Sequence, residues 1–537
     1  MDSAILQTMA VSTQSQSPPS PRRIRWWPGL ALFTIALAGI TWVRMQSDWP
    51  FQKRNQATAV IGIVCGILLV VWWTFLSHAP SRVRLRVTYG LAVVGLGLAV
   101  LFRVRGVSGD MLPILEFRWA SRKSLPGTQT NSVAAPMNRQ QTLQRFNALT
   151  NFAFPQFLGP DRNGILPEPR LETNWTVHPP KIVWRQKVGA AWSGFAIVGE
   201  VCLTQEQRGE DECVVAYELA TGKQLWLHAD KARYNTTIAG EGPRATPTIQ
   251  SNRVFTCGAT GILNCLDLTT GGRIWTRNVV AESRGKIPQW GCASSPLLVN
   301  GLVIVHGGEQ TQRSLHAFKA DDGQPVWSGG NRNPSYASPS AAVLAGVPQL
   351  LAFNDGSISA LDPATGVTLW EKPWGNGSVV CASPVVVGEN RVLFSSGYGV
   401  GAELLEIGHN VKGRLTAQLV WKSIRMKAKF AHLFVRDGCL FGLDDGIFAC
   451  VGLKDGAQRW KEGRYGHGQG LLVGDLYLLM AESGELVLLR PTPDAPNELA
   501  RFRVFNSKTW NPTAMSGNWL LARNDRGAVG LRLKSPP

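Results

Sequence analysis

The sequence carries little charge for its length and lacks the short motifs of several enzyme classes. Only 17% of its 537 residues are Asp, Glu, Lys or Arg and 44% are hydrophobic, which excludes a disordered chain. Its eight histidines never occur in a His-Glu-x-x-His or other tight metal-ligand spacing, and there is no Gly-x-Ser-x-Gly nucleophile elbow. What the chain does have is 56 glycines and 20 tryptophans. This composition excludes a coiled coil and favours short strands and turns.

The net charge of +18 is unevenly distributed along the chain. Residues 1–150 hold 16 Lys and Arg against 4 Asp and Glu, whereas the remainder holds 39 against 33. Basic residues that flank apolar segments are typical of membrane anchors. We therefore assign the excess to a membrane anchor and expect no nucleic acid partner.

Three uncharged apolar runs near the start predict membrane-spanning helices. They cover residues 26–43, 57–76 and 87–102, and a helix of about 20 apolar residues spans a bilayer. We expect a transmembrane region of three helices over residues 26–104, after a basic tail, cytoplasmic or exposed, over residues 1–25. Basic residues are equally numerous on the two sides, so charge does not determine the orientation.

Polar residues then separate these runs from the rest of the chain. Residues 105–150 are predicted to form a polar tether, because Ser, Thr, Asn and Gln dominate their second half. A lead-in segment follows over residues 151–180, and a repeat domain over residues 181–537.

The repeat domain consists of strand-turn units that end in an aromatic residue. The clearest copy runs from Ser338 to Trp370 and has the form Ser-Pro … Asp-Gly … Ala-Leu-Asp-x-x-Thr-Gly-x-x-x-Trp. The terminal position recurs every 39–52 residues, which is the period of propeller blades. We predict that the tryptophans at this position pack between neighbouring blades. They are Trp184, Trp226, Trp275, Trp327, Trp370, Trp421 and Trp460, and Phe502 holds the eighth place.

The two ends of the repeat domain complement each other. After Phe502 the chain has room for three strands, whereas Lys181–Lys187 is a lone strand that carries Trp184. Pairing these ends completes an eighth blade and removes the exposed edges. The fold class is therefore predicted as all-β, an eight-bladed β-propeller closed by pairing of its N- and C-terminal strands and preceded by about three transmembrane helices. A solenoid of stacked β units is the structural alternative.

The repeat resembles that of pyrroloquinoline-quinone (PQQ) propellers. Residues 154–164 (FPQFLGPDRNG) are also similar to a stretch that precedes the propeller in BamB-like bacterial proteins, although Leu158 stands where that group often has Arg. The resemblance covers residues 154–537. It implies a membrane-anchored, non-catalytic binding or assembly scaffold at the bacterial cell envelope with a protein or envelope partner. It further implies a multi-pass protein of the inner membrane whose propeller is periplasmic.

The same fold also occurs in dehydrogenases that bind PQQ over Ca²⁺ and carry a disulfide between adjacent cysteines. This sequence has no adjacent cysteines and no Cys-x-x-Cys-His haem motif. We therefore expect no catalytic residues, no metal and no cofactor. Two alternatives stay open: a PQQ-dependent dehydrogenase-like quinoprotein that uses PQQ with Ca²⁺, and a sensor that binds a small ligand or polysaccharide.

Among the nine cysteines, Cys439 and Cys450 are close enough in sequence to invite a disulfide. A hairpin that pairs Leu443 with Ile447 would place the two thiols on opposite faces, since an offset of one residue reverses the side chain. No disulfide is therefore predicted there.

A set of residues interrupts the repeat where the innermost strands begin, and we expect them to ring one mouth of the central channel. One interpretation is that a ligand or peptide docks on these aromatic faces and cationic donors. The other is that they plug the channel. They are Trp192, Arg244, Trp290, Tyr336, Lys429, His467 and Trp510.

Overall fold

A computed structural model describes residues 24–119, 128–129, 153–311, 313–375 and 379–536 of the chain. These residues form two compact units. Nearly all of the predicted basic tail, residues 1–25, lies outside the described residues, as does most of the second half of the predicted tether.

The first unit is built from three apolar helices. They are α1 (Trp27–Met45), α2 (Phe51–Val71), which continues as a π-helical turn (Trp72–Leu76), and α3 (Ser81–Leu101). In the described part of the chain, these are the helices long and apolar enough to cross a membrane. The second and third begin before their predicted apolar runs, because Gln, Lys and Arg are good helix formers. Within this unit, the Trp72 ring packs on Gly29 and Arg44 donates to Asn55 at 2.9 Å.

The second unit is an eight-bladed β-propeller, which confirms the predicted fold class. Among the described residues, four short strands precede the ring: β1 (Phe102–Val107), β2 (Pro113–Phe117), β3 (Thr128–Gln129) and β4 (Ile165–Leu166). The strand β5 (Lys181–Lys187) follows. Each of the next seven blades is a meander of antiparallel strands running from the channel outward.

The strand bounds of blades 1 to 4 are as follows. Blade 1 contains β6 (Ala196–Val198), β7 (Val201–Arg208), β8 (Asp211–Glu218) and β9 (Gln224–Lys231). A loop with β10 (Asn235–Thr236) and β11 (Gly240–Glu241) leads to blade 2, which contains β12 (Thr248–Gln250), β13 (Arg253–Cys257), β14 (Ile262–Asp267) and β15 (Arg273–Asn278). After the short helix α4 (Val279–Glu282), blade 3 contains β16 (Leu297–Val299), β17 (Leu302–His306), β18 (Leu315–Lys319) and β19 (Pro325–Gly329). Blade 4 contains β20 (Ser340–Leu344), β21 (Val347–Asn354), β22 (Ser357–Leu361) and β23 (Thr368–Pro373).

The remaining blades continue the pattern. Blade 5 contains β24 (Val385–Val387), β25 (Arg391–Ser396), β26 (Gly401–His409) and β27 (Leu415–Ser423). Blade 6 contains β28 (Phe434–Arg436), β29 (Cys439–Asp444), β30 (Ile447–Gly452) and β31 (Gln458–Arg464). Blade 7 contains β32 (Gln469–Val473), β33 (Leu476–Met480), β34 (Glu485–Pro491) and β35 (Pro496–Arg503). Blade 8 contains β36 (Ala514–Ser516), β37 (Trp519–Arg523) and β38 (Gly527–Arg532).

The ring closes through its two ends, as predicted. The C-terminal β38 pairs antiparallel with β5, and Gly530 lies opposite Trp184. The same sheet gains β3 as a parallel neighbour of β5. The strand β5 thereby becomes the fourth strand of blade 8 and supplies the Trp that this blade would otherwise lack.

The recurring Trp and the Thr-Gly turn interlock neighbouring blades. In six of the seven predicted positions, the indole Nε1 donates to a backbone carbonyl in the turn of the next blade at 2.8–3.1 Å. In five of these six pairs a turn glycine lies against the ring and has a positive φ, for example +71° at Gly271 beside Trp226. The exception is Trp370, which donates to Gln349 of its own blade at 2.7 Å. The cause lies in blade 5, where residues 410–414 replace the Thr-Gly turn.

The Ser/Thr-Pro positions form a second link between blades. The hydroxyl of Ser295 accepts a hydrogen bond from the Thr246 amide of the previous blade at 3.0 Å. The hydroxyl of Ser338 in turn accepts one from the Ser295 amide, also at 3.0 Å. All three residues are buried, so these hydroxyls satisfy amides that water cannot reach.

Replacing Ser338 by alanine should therefore lower the free energy of unfolding by about 1–3 kcal/mol, because the buried Ser295 amide loses its acceptor. Ser383 is the matched control: it holds the same repeat position, but its hydroxyl has no hydrogen-bond partner among the described residues. Urea unfolding of the two alanine variants measures the difference. An equal loss in both would contradict this assignment.

Residues 154–166 of the lead-in segment lie inside the central channel, because they contact innermost strands around the ring. Phe154 bridges to Ile197 of blade 1, and β4 pairs with β32 of blade 7. Between these points Arg162 is 7% exposed and donates to the carbonyls of Ser295, Pro296 and Pro339 at 2.7–3.1 Å. Burial lowers the pKa of Arg162 to about 9.

One predicted hairpin register is wrong by a residue. Asp444 rather than Leu443 pairs with Ile447, because Asp445 and Gly446 both adopt positive φ and form the two-residue turn themselves. Cys439 and Cys450 consequently share a face instead of lying on opposite faces. Both are free thiols, as are the other seven cysteines, all of which lie in the described residues.

Candidate functional site

The predicted channel-mouth residues lie at one end of the ring. In an antiparallel meander, the loop that leads into a blade and the hairpin between its second and third strands are at the same end. We call this end the mouth. It carries the loops before the eight innermost strands and the hairpin turns that contain Asp445, Glu482 and Asp525.

Four aromatic residues form a continuous row across part of the mouth. Trp192 and Trp510 have ring centroids 5.0 Å apart, Trp510 and Phe430 are also 5.0 Å apart, and Phe430 lies 5.7 Å from His467. The ammonium of Lys508 stands 3.8 Å from the Trp510 ring centroid, a cation–π geometry. The sequence predicted Trp192, His467 and Trp510 as members of this site. It did not reveal Phe430, which is adjacent to the predicted Lys429, or Lys508, which precedes the predicted Trp510 by two residues.

The other predicted residues make separate contacts. The Tyr336 hydroxyl accepts from the Trp290 amide at 3.3 Å and donates to Glu309 at 3.4 Å. The Arg244 guanidinium donates to the Gly240 carbonyl at 2.9 Å. It also shares the Ala239 carbonyl with the indole of Trp192. The structure therefore brings Trp192, Lys429, His467 and Trp510 into one region, with Arg244 beside it.

A segment that sequence analysis did not assign to the site covers this region. The predicted polar tether began at residue 105, but β1 and β2 instead form a hairpin. We call residues 104–116 the mouth hairpin. Its turn places Gly109 and Asp110 on the mouth: the Gly109 amide donates to Glu482 at 2.7 Å, and the Gly109 carbonyl accepts from Lys429. Asp110 accepts from His467 at 3.2 Å and pairs with Arg464.

Further contacts hold both strands of the mouth hairpin. Lys508 donates to the Val107 carbonyl at 3.0 Å. On one strand Arg105 pairs with Asp525, and on the other Glu116 pairs with Arg526 at 2.6 Å. The hairpin is thus fastened to blades 6, 7 and 8 by a series of charge-assisted hydrogen bonds, which are the stronger kind.

The hairpin turn fits closely. A Cβ atom on Gly109 would lie 2.0 Å from the His467 ring and 2.7 Å from the next atom of that ring. Every other residue type would therefore displace either the turn or His467. The ring is only 2% exposed and is held by Phe430.

The electrostatics of the contact centre on Asp110. Burial raises the pKa of this carboxyl, but the hydrogen bond from His467 and the positive charge of Arg464 lower it more, to about 2. Lys429, Glu482 and Asp445 are the other charged groups at the turn. The charged form of Asp110 is therefore the form that fits.

Acid should release the mouth hairpin. Since the pKa of Asp110 falls from 3.8 to about 2 in the docked state, its ionised form stabilises docking above pH 3.8, and this contribution is lost as the pH falls towards 2. Hydrogen exchange of residues 104–116 between about pH 5 and pH 2 measures the release, after correction for intrinsic exchange. The variant Asp110→Asn should lack this component. The same pH profile in both proteins would contradict the assignment.

One group in the described residues has metal-compatible spacing, and it lies at the mouth. Ligand atoms of Asp110, Asp445 and His467 are within 4.8 Å of one another. Ca²⁺ prefers six to eight oxygen ligands, whereas this group offers a ring nitrogen, and Arg464 already pairs with one of its carboxylates. One of its two carboxylates, that of Asp110, belongs to the mouth hairpin itself. These residues do not fit a Ca²⁺ ion with a fused-ring quinone on it.

The fold, its repeat and the apolar helices define a class: a PQQ-like-repeat β-propeller with three N-terminal helices that could span a membrane. The family model described as outer membrane protein assembly factor BamB matches residues 210–462. Over these residues the chain is accordingly similar to BamB-type propellers, as its repeat predicted.

Comparisons with individual proteins agree on this class. The outer membrane protein assembly factor BamB of Shewanella oneidensis is 24% identical over 262 residues, which cover 46% of this chain and 60% of that protein. BamB of Bordetella pertussis is 24% identical over 196 residues, 36% of this chain and 44% of that protein. The chain thus spans less than two thirds of these relatives. The quinohemoprotein alcohol dehydrogenase of Comamonas testosteroni superposes with a TM-score of 0.52 at 12% identity, over 75% of this chain and 84% of that chain, which shows the fold alone.

Proposed function

We propose that this protein is a multi-pass inner-membrane scaffold of the bacterial envelope whose periplasmic propeller binds a partner protein without catalysis. The observation that carries the proposal is that the chain fills its own channel and mouth. The lead-in segment occupies the channel around Arg162, and the mouth hairpin covers the aromatic row. The surface left for function is the set of loops on a rigid frame, and loops of this kind carry binding.

The similarity to outer membrane protein assembly factors supports the same proposal, since those relatives are envelope proteins named for an assembly role. The three apolar helices support membrane anchoring by their length and composition.

Orientation and partner binding can be tested in cells. Fusions of alkaline phosphatase and of green fluorescent protein after residue 536 should be active and dark, respectively, when the protein is exported through the inner membrane. Photo-crosslinkers at exposed positions of the mouth loops, such as Ile238 and Ile424, should capture envelope proteins. A fluorescent, phosphatase-inactive fusion would contradict the periplasmic placement.

A test of PQQ binding distinguishes the scaffold function from that of a quinoprotein. We expect the full chain in detergent to give no saturable heat when it is titrated with PQQ in the presence of Ca²⁺. In the one metal-compatible group of the described residues, Asp110 already pairs with Arg464 and accepts from His467. Saturable binding with alcohol- or aldose-dependent dye reduction would overturn the proposal.

A further inference from the structure

The mouth contacts some parts of the mouth hairpin and leaves others exposed, and this pattern indicates recognition of a particular turn. The groups on the propeller side come from three blades and the loops before them, and are mostly cations that approach backbone carbonyls or a carboxylate. They are Lys429, Arg464, His467, Glu482 and Lys508. On the hairpin side, Leu112 and Leu115 are 52% and 61% exposed, so these two side chains do not contribute to recognition.

Two of the cations are held in place by aromatic rings. Lys429 is 4% exposed and stands 4.7 Å from the Tyr398 ring centroid. Lys508 stands between the Trp192 and Trp510 rings, at 4.9 and 3.8 Å. Burial lowers the pKa of both ammonium groups. Each would lose a carbonyl acceptor without the hairpin, and buried cations need such partners. Lys429 would keep its second acceptor, the amide oxygen of Gln52 at 2.6 Å.

The recognised feature is a Gly-Asp turn. A side chain at the first position would collide with the His467 ring, and the carboxylate at the second position meets both His467 and Arg464. The Gly109 amide completes the set by donating to Glu482. These contacts use the two turn residues and the backbone carbonyl of Val107, and they specify a short acidic β-turn. The ion pairs of Arg105 and Glu116 add to them on the two strands.

We propose that the propeller mouth is a docking site for an acidic Gly-Asp β-turn and that residues 104–116 are its resident occupant in this chain. A partner protein that presents such a turn would compete with the mouth hairpin. The competition rests on the proposed scaffold function, whereas the docking site itself does not. Binding of the partner at the mouth would thereby release residues 104–116, which follow the three apolar helices in the sequence.

A peptide in trans tests the docking site. The probe is a fluorescein-labelled peptide of residues 104–116, added to the full chain in detergent micelles. We expect the Gly109→Val and Asp110→Ala chains, whose own hairpins are displaced, to bind the probe about tenfold or more tightly than wild type, in which the mouth is occupied. The same probe carrying Asp110→Ala should bind either variant about tenfold more weakly.

Hydrogen exchange shows whether the mouth hairpin has been released in each variant. Both variants should lose protection over residues 104–116 while their circular dichroism and that of wild type agree; two variants guard against one failing to fold. Equal probe binding to wild type and variants would overturn the proposal. So would a released hairpin with no probe binding, a hairpin that stays protected in both variants, or a probe that tolerates Asp110→Ala.

The partner competition has its own readout. Crosslinking yields from the scaffold experiment should rise in the Gly109→Val chain if the partner uses the mouth. Equal yields in wild type and variant would contradict the competition and leave the scaffold proposal standing. Absence of crosslinked envelope proteins in both chains would count against the scaffold and leave the peptide result intact.

Discussion

Replacing Trp184 by alanine should lower the free energy of unfolding of the propeller by about 3–5 kcal/mol, which is the cost of deleting a large buried aromatic side chain. Trp184 is 4% exposed, donates to the Leu219 carbonyl of blade 1 at 2.8 Å, and packs against Gly530 of its own blade. Trp184 therefore contacts both blade 8 and blade 1, the two blades that meet where the ring closes. Urea unfolding of the full chain in detergent, followed by circular dichroism, measures the loss.

Val183 provides the control on the same strand. Its side chain is 41% exposed, so Val183→Ala should cost less than about 1 kcal/mol. A small effect of Trp184→Ala, similar to that of Val183→Ala, would mean that the closing strand contributes little to the fold.

Replacing Gly222 by alanine should cost about 2–5 kcal/mol, because two penalties combine. Gly222 has φ +69°, and a Cβ atom there would lie 2.6 Å from the Trp184 ring. Gly346 separates the two penalties: its φ is +75°, but a Cβ atom would have nothing within 4 Å. Gly346→Ala should therefore cost only the backbone strain, about 1–2 kcal/mol.

The same unfolding measurement compares the two glycines. The difference between Gly222→Ala and Gly346→Ala is the cost of separating neighbouring blades at one Trp-Gly contact. No difference would show that the Thr-Gly turn of the repeat serves the turn alone and does not interlock blades.

Much of the fold could be predicted because the repeat encodes it locally. Each Thr-Gly turn and its Trp come from adjacent blades but from the same repeat pattern, so one well-formed copy, such as that ending at Trp370, indicates the others. The closing strand Lys181–Lys187 was predicted with its observed bounds. The register error at Asp444 arose because Asp445-Gly446 forms a tighter turn than expected.

The mouth was predicted less completely, for a physical reason. Trp192, Lys429, His467 and Trp510 stood out because they depart from a repeat. The mouth hairpin belongs to no repeat, and its partners lie more than 300 residues away along the chain, for example Arg464 from Asp110. Charge complementarity at that separation leaves no local pattern, although the Gly-Asp pair between two apolar stretches does indicate a turn.

Closure of the ring by its two ends is tested most directly by a disulfide between Lys181→Cys and Arg532→Cys. These exposed residues are cross-strand partners in β5 and β38, and directly paired Cα atoms lie within the range that a disulfide spans. The matched control joins Lys181→Cys to Ser516→Cys, three strands away or about 14 Å. Mild oxidation followed by peptide mass mapping should find the 181–532 link in nearly all molecules and no 181–516 link. Absence of the 181–532 link in the folded protein would contradict the closed ring.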